Sequence, residues 1–410
     1  MTPLFSLSSD FFSSMSVEPI TLSIPSSSLF LTTAIIMANV PSSIHTRITS
    51  LFGTRYPLVL PGMSWISKPP LVAAVCNAGG LGILATGPLT PQETRQSIRE
   101  IRSKTDQPFG VGVTLLMPGA TENAEVALEE QVPIINTSLG RAAWIKKGLE
   151  SYQGKLLCTV TNRQHAAKAI DESGADALLV TGHEAAAHGG DTTSLVLINA
   201  LSEAFPHTPL VAAGGFATGR SLTAALALGA DAVAMGSRFA VTQESSLAEA
   251  TKRAIAEAAS DEGQTIYGSN FDGIPARVLK TPTSQRLMEQ RPWFPTIVYR
   301  ALAAARDLNV PWWKILPGLV VQFDKIFVVA QFGAASKALT KATIEGDLQE
   351  GVQFIGQSQG LIHDVPSVED LVQSIMSEAC QTAQRNRQTL VLDEGDAQRT
   401  EEDSGNALHG

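Results

Sequence analysis

The segment Gly182–Asp191 reads GHEAAAHGGD and sets His183, Glu184 and His188 within six positions. Two histidines four residues apart on a helix, as in HExxH, present both rings on one face and can share a zinc ion. Here the separation is five. At about 100° per residue the two rings would stand about 140° apart, so one straight helix cannot offer both to a metal. What remains is single-imidazole chemistry, since an ordinary pKa of roughly 6.5 lets such a ring take or give a proton near neutrality. Spacing alone does not choose between the two.

A second set of residues points to an anion. The segment AAGGFATGR holds Ala213, Gly214 and Gly215, and MGSRF holds Gly236 and Ser237. Glycines leave backbone N–H groups open to close approach, and helices beginning just beyond would add positive dipole ends that suit a phosphate. A third stretch, PGM, places Pro61, Gly62 and Met63 where an apolar side chain adjoins open backbone. That combination suits the edge of a flat hydrophobic ring.

These residues need a frame that brings them together, and the order of elements supplies one. Short β-branched runs alternate with amphipathic segments, the pattern of repeated βα units. Eight candidate strands fall at 57–62, 81–87, 108–115, 132–138, 155–162, 177–182, 209–215 and 232–239. Eight helical stretches interleave and follow them, ending with SSLAEATKRAIAEAAS. The count favours a (β/α)8 TIM barrel over a doubly wound sheet of five or six strands. In such a barrel, ligands bind at the C-terminal ends of the strands and phosphates at the loops after strands 7 and 8, where the glycine clusters lie.

Composition limits the partners. The 410-residue chain is 44% hydrophobic and 17% charged with a formal net charge of -9, and it has no block of Lys or Arg. This disfavours nucleic acid and anionic membranes and leaves a small-molecule substrate as the expected partner, with a homo-oligomer compatible. Cys76, Cys158 and Cys380 are far apart without CxxC spacing, which fits a reducing, cytoplasmic setting and packing thiols, with no metal cluster. The first 46 residues carry no Lys or Arg. They match neither a secretory nor a mitochondrial leader and are expected to be flexible or to lie upstream of a start at Met37.

PLVLPGM, VCNAGGLGIL, GHEAAAH, AAGGFATGRSLTAALALGADAVAMGSRF and EGDLQEGVQFIGQSQGLI together resemble the nitronate monooxygenase family, formerly the 2-nitropropane dioxygenases, over about residues 50–380. The segment of strands 7 and 8 is also similar to type II enoyl-ACP reductases. It resembles inosine monophosphate dehydrogenases too, but their catalytic cysteine in GSxCxT has no counterpart here. The resemblance implies an FMN-binding barrel. Pro61, Gly62 and Met63 would contact the flavin, while Ala213, Gly214, Gly215, Gly236 and Ser237 would cradle its phosphate. His188, the last residue of the motif after strand 6, would be the catalytic base or acid. Glu184 would orient the loop, and His183, on a variable position, would be a bystander. Three departures accompany the match: Gly112 replaces an asparagine of the family's GVNL, Leu157 replaces a frequent lysine, and Ala186 and Ala187 replace a glycine pair.

The activity so implied is oxidation of alkyl nitronates with molecular oxygen. Alternatives are an NAD(P)H-dependent enoyl thioester reductase, a tailoring flavoenzyme for a secondary metabolite, and a catalytically silent flavin-binding protein. The expected organisation is a leader over 1–46, the FMN-binding barrel over 47–260, a mostly helical appendage near the barrel mouth over 261–384, and a disordered acidic tail over 385–410. Trp293, Phe294, Trp312 and Trp313 are expected in a core.

Overall fold

The computed structural model describes residues 43–187, 189–258, 264–268, 275–289 and 337–390. All belong to one compact unit that begins at Val40. Eight parallel strands form a closed ring: β1 (Leu58–Leu60), β2 (Leu81–Ala85), β3 (Gly110–Thr114), β4 (Ile134–Ser138), β5 (Lys155–Val160), β6 (Ala177–Thr181), β7 (Leu210–Ala213) and β8 (Ala232–Ala234). Each pairs with its sequence neighbours, and β8 closes on β1 through Leu58 against Val233 and Val59 against Ala234. The chain is therefore a (β/α)8 TIM barrel.

Side chains alternate across each strand, so every second residue points into the ring. Val59, Leu81, Ile83, Ile134, Leu157, Leu179 and Val211 fill that interior and make it a packed core, not a channel. The N-terminal end is plugged by helix α1 (Arg47–Phe52), which drives Ile48 and Phe52 against these residues. Thr46 and Thr49 start α1 with a reciprocal capping box. Arg47 then ties it to the ring with a two-pronged ion pair to Asp231, at 2.7 and 2.8 Å. Leu157 is fully buried in this interior, which accounts for an apolar residue on β5.

The outer helices follow the sequence for seven of the eight units: α2 (Pro69–Asn77), α3 (Pro91–Lys104), α4 (Ala120–Glu129), α5 (Ala143–Glu150), α6 (Arg163–Asp171), α7 (Ser194–Ala204) and α8 (Gly219–Ala227). The eighth differs. Strand 8, read from the sequence as 232–239, ends at Ala234, and Gly236–Ala240 is instead a short helix, α9. The next helix, α10 (Glu249–Glu257), does not complete the ring. That position is taken by a C-terminal helix, α12 (Val368–Leu390), which packs against both α8 and α2. Leu371, Val372, Ile375 and Met376 of α12 are buried in the main core. Each contributes roughly 1.5–3 kcal/mol of burial.

The stretch after residue 260, expected to be mostly helical, also contains a two-stranded antiparallel sheet, β9 (Thr265–Gly268) with β10 (Ala276–Leu279), followed by helix α11 (Pro282–Glu289). The tail boundary at Arg385 falls inside α12, which continues to Leu390. Trp293, Phe294, Trp312 and Trp313 lie outside the described residues, as do 1–42 and 391–410. Cys76 and Cys158 are buried, and Cys380 is only half-buried. Burial pushes the Cys76 thiol up to about 12 and raises Cys158 as well, so both stay protonated packing groups. Among the described residues, no helix is long and apolar enough to cross a membrane.

The dock of α12 on α8 is close. Glu378 accepts the Gly219 N–H at 2.6 Å, and a Cβ on Gly219 would lie 2.3 Å from the Ile375 carbonyl oxygen. Removing the carboxylate leaves the start of α8 without this acceptor. We expect Glu378→Ala to lower stability by about 1–2 kcal/mol in urea unfolding.

Candidate functional site

The C-terminal ends of the strands surround a cavity of about 920 Å³. Pro61, Gly62 and Met63 line it from the end of β1, Ala213, Gly214 and Gly215 from β7, and Gly236 and Ser237 from just past β8. The structure thus brings together every described residue in the sequence-based list. His188 lies outside the described residues, although its neighbours Ala187 and Gly189 are described and Ala187 lines the cavity.

The β1 and β8 motifs adjoin because β1 and β8 are ring neighbours. A Cβ on Gly236 would sit 3.5 Å from Met63 Sδ and 3.6 Å from Pro61 Cγ. Ser67, which the sequence reading passed over, fixes the turn between them. Its fully buried hydroxyl donates to the Pro61 carbonyl at 2.8 Å and accepts the Met63 N–H at 3.0 Å.

After β7 the backbone turns sharply, with φ of 100° at Gly214 and 85° at Gly215, values that favour glycine. Among the described residues, the backbone N–H groups of Gly214, Gly215, Gly236 and Ser237 meet no protein acceptor. Ser237 Oγ accepts the Gly356 N–H at 2.9 Å, so its own proton is free to donate toward the cavity. Such converging donors suit an anion. The expected dipole of the helix after strand 7 takes no part, because Glu378 occupies the start of α8.

The turn after β6 is held from three sides. Glu184 reaches the start of α7, where its carboxylate accepts the Ser194 N–H at 2.8 and 3.1 Å and faces Ser194 Oγ at 2.9 Å. This supplies the cap that Thr193 does not provide with its side chain. Gln357 donates its N–H to the Glu184 carbonyl at 2.9 Å. On the third side, Ala187 and Arg277 exchange backbone hydrogen bonds at 3.2 and 3.0 Å, and the Arg277 guanidinium donates to the His183 carbonyl at 3.0 Å.

Ala187 adopts a φ of 54°, a left-handed conformation that costs an alanine roughly 1–2 kcal/mol and that this two-way bridge holds in place. His183 does not line the cavity. Its ring stands edge-on to Tyr267 at 4.5 Å, with Nδ1 3.0 Å from the Gly190 carbonyl oxygen. Arg277 is buried, which lowers its pKa, while Tyr267 and Glu184 pull it back up. Arg277 and Tyr267 left no local signal in the sequence, because they lie in the stretch read as helical.

A family model described as nitronate monooxygenase matches residues 45–378. The chain belongs to the nitronate monooxygenase family. Named relatives divide by substrate. A (3aS,4S,5R,7aS)-5-hydroxy-7a-methyl-1-oxo-octahydro-1H-indene-4-carboxyl-CoA dehydrogenase from Mycobacterium tuberculosis is 33% identical over 82% of this chain and 96% of that protein. A nitronate monooxygenase from Paraburkholderia phytofirmans is 28% identical, with the same coverage of 82% and 96%. Among solved structures, FabK from Thermotoga maritima superposes with a TM-score of 0.72 at 32% identity, covering 85% of this chain and all of FabK. This nitronate monooxygenase family member is an oxidoreductase by family, and its fold is that of FabK.

The joint at Glu184 yields a ranked expectation. Glu184→Ala removes the charged acceptor of the Ser194 N–H, while the Ser194 hydroxyl keeps the Gly214 carbonyl at 2.8 Å, whereas Ser194→Ala leaves the N–H bond intact. Urea unfolding should give a loss of about 1–3 kcal/mol for the first and less for the second.

Proposed function

We propose that the chain is an FMN-dependent oxidoreductase that oxidises alkyl nitronates with molecular oxygen. One observation carries the reading. A single cavity joins a cluster of open N–H donors at the ends of β7 and β8 to the apolar Pro61–Met63 turn and to the turn that leads into His188. A phosphate fits the first, a flat ring the second, and a proton-transfer group belongs beside it.

The donors of Gly214, Gly215, Gly236 and Ser237, with the Ser237 hydroxyl, would hold the FMN phosphate. Pro61, Gly62 and Met63 would line the ring. Bound FMN supplies the electron acceptor, and the protein supplies orientation and a proton path. His188, next in the chain after Ala187, would take the proton from the carbon beside the nitro group of a neutral nitroalkane. Ala185, Ala186 and Ala187 make the wall of the cavity there small and apolar, which suits the alkyl part of such a substrate.

A second reading, reduction or oxidation of an acyl thioester, is favoured by the extent of the cavity. Its lining reaches Arg141, His165 and Lys168, more room than a small nitronate needs. The name of the Mycobacterium tuberculosis relative, a dehydrogenase of a carboxyl-CoA, agrees with a larger substrate.

Purified protein should carry a flavin visible spectrum or acquire it with added FMN, and a chain that stays colourless defeats the reading. Ser237→Ala should weaken FMN binding by about five- to tenfold in a fluorescence titration. His188→Asn should keep FMN yet lose about 10²-fold or more in turnover of a neutral nitroalkane, with little loss on the preformed nitronate. Anaerobic bleaching by NAD(P)H that an enoyl thioester then reverses would assign the second reading.

A further inference from the structure

The polar group midway along β4 has an asymmetry that the site so far leaves unused. Asn136 is nearly buried and lines the cavity. Its Nδ2 donates to the Leu157 carbonyl at 3.0 Å and to Thr159 Oγ1 at 3.1 Å. A carbonyl can only accept, so the Leu157 contact fixes which way the carboxamide faces. Oδ1 then meets no donor among the described residues. Thr159 Oγ1, by accepting from Asn136, has its own proton free, and Thr159 also lines the cavity.

The neighbouring strand leaves room for a ligand to reach these groups. Asn136 is the sheet partner of Gly112 on one side and of Leu157 on the other. Partner positions on adjacent parallel strands face the same way about 4.8 Å apart. Gly112 has no side chain to cover the amide, and a Cβ there would already press on the Leu84 carbonyl oxygen at 3.3 Å. Leu157 brings no polar atom to the cavity. The cavity is thus lined by an acceptor, Asn136 Oδ1, and by a donor, the Thr159 hydroxyl, on the neighbouring strand and linked to the same carboxamide through Nδ2.

We propose that Asn136 and Thr159 recognise the imide edge of the flavin ring, Asn136 Oδ1 accepting the imide N–H and the Thr159 hydroxyl donating to an adjacent ring carbonyl. An imide edge offers a donor flanked by acceptors, the complement of this pair. The assignment rests on the FMN reading above and adds to it the residues that distinguish an imide from any other flat ring.

The test is a coupling measurement on the full-length chain. FMN, and FMN methylated on the imide nitrogen, are titrated into flavin-stripped wild type and into Asn136→Leu, with flavin fluorescence as the readout. The wild type should prefer FMN by about tenfold, and Asn136→Leu should bind both about equally. Equal affinity of the wild type for the two flavins overturns the assignment, as does a preference that survives in Asn136→Leu. Asn136→Ala, a smaller truncation, serves if the leucine variant does not fold. Failure of the wild type to bind FMN at all overturns the cofactor reading itself and this assignment with it. Binding of both flavins without discrimination leaves the cofactor reading standing and removes only the role of Asn136.

Discussion

The mouth of this barrel depends on one carboxylate. Glu184 extends from the turn after β6 to the first turn of α7, where unpaired N–H groups would otherwise face a half-buried loop. Ser194, held by Glu184, in turn lies 2.8 Å from the Gly214 carbonyl oxygen through its hydroxyl. Two strand ends are thus joined by side chains as well as by the sheet. Movement of the β6 turn away from α7 has to break charge-assisted bonds, which are about twice as strong as the neutral bond to Gly214.

Around that joint the site is assembled from distant parts of the chain. Gly356 sits between Ser237 and Glu184, so closely that a Cβ would lie 2.9 Å from the Glu184 carbonyl oxygen. Arg277 and Tyr267 brace the same turn from β9 and β10. The guanidinium lies 5.2 Å from the Tyr267 ring centre, and the Tyr267 hydroxyl is 3.3 Å from the Gly189 carbonyl oxygen. The ring of strands sets the positions of the motifs, and the segments after it fix their orientation. A rigid scaffold with ligand groups on its loops is the usual division of labour in this fold.

Most of the frame was legible in the sequence, because short β-branched runs, buried on both faces, separated by amphipathic segments mark repeated βα units. The glycine clusters were legible as well, since Gly214 and Gly215 take backbone angles that other residues avoid. Strand 8 was read too long because Met235 and Phe239 continue the apolar residues of Ala232–Ala234, while the backbone turns into a helix at Gly236. The eighth outer helix was misplaced for a different reason. SSLAEATKRAIAEAAS and the α12 sequence are both amphipathic, and only packing against α2 and α8 decides which one closes the ring. Ser67, Ser194 and Arg277 carry no local pattern at all, since their importance comes from partners that the fold brings near.

The borrowed eighth helix has a consequence for how the molecule comes into being. Until Leu371–Ala379 leave the ribosome, the faces of α2 and α8 that α12 covers lack that cover, although every strand of the ring has already been made. The last stave of the barrel is thus made after all eight strands. Its contacts with α2 span about three hundred residues of chain, a separation that slows folding and leaves an oily seam open to chaperones in the meantime.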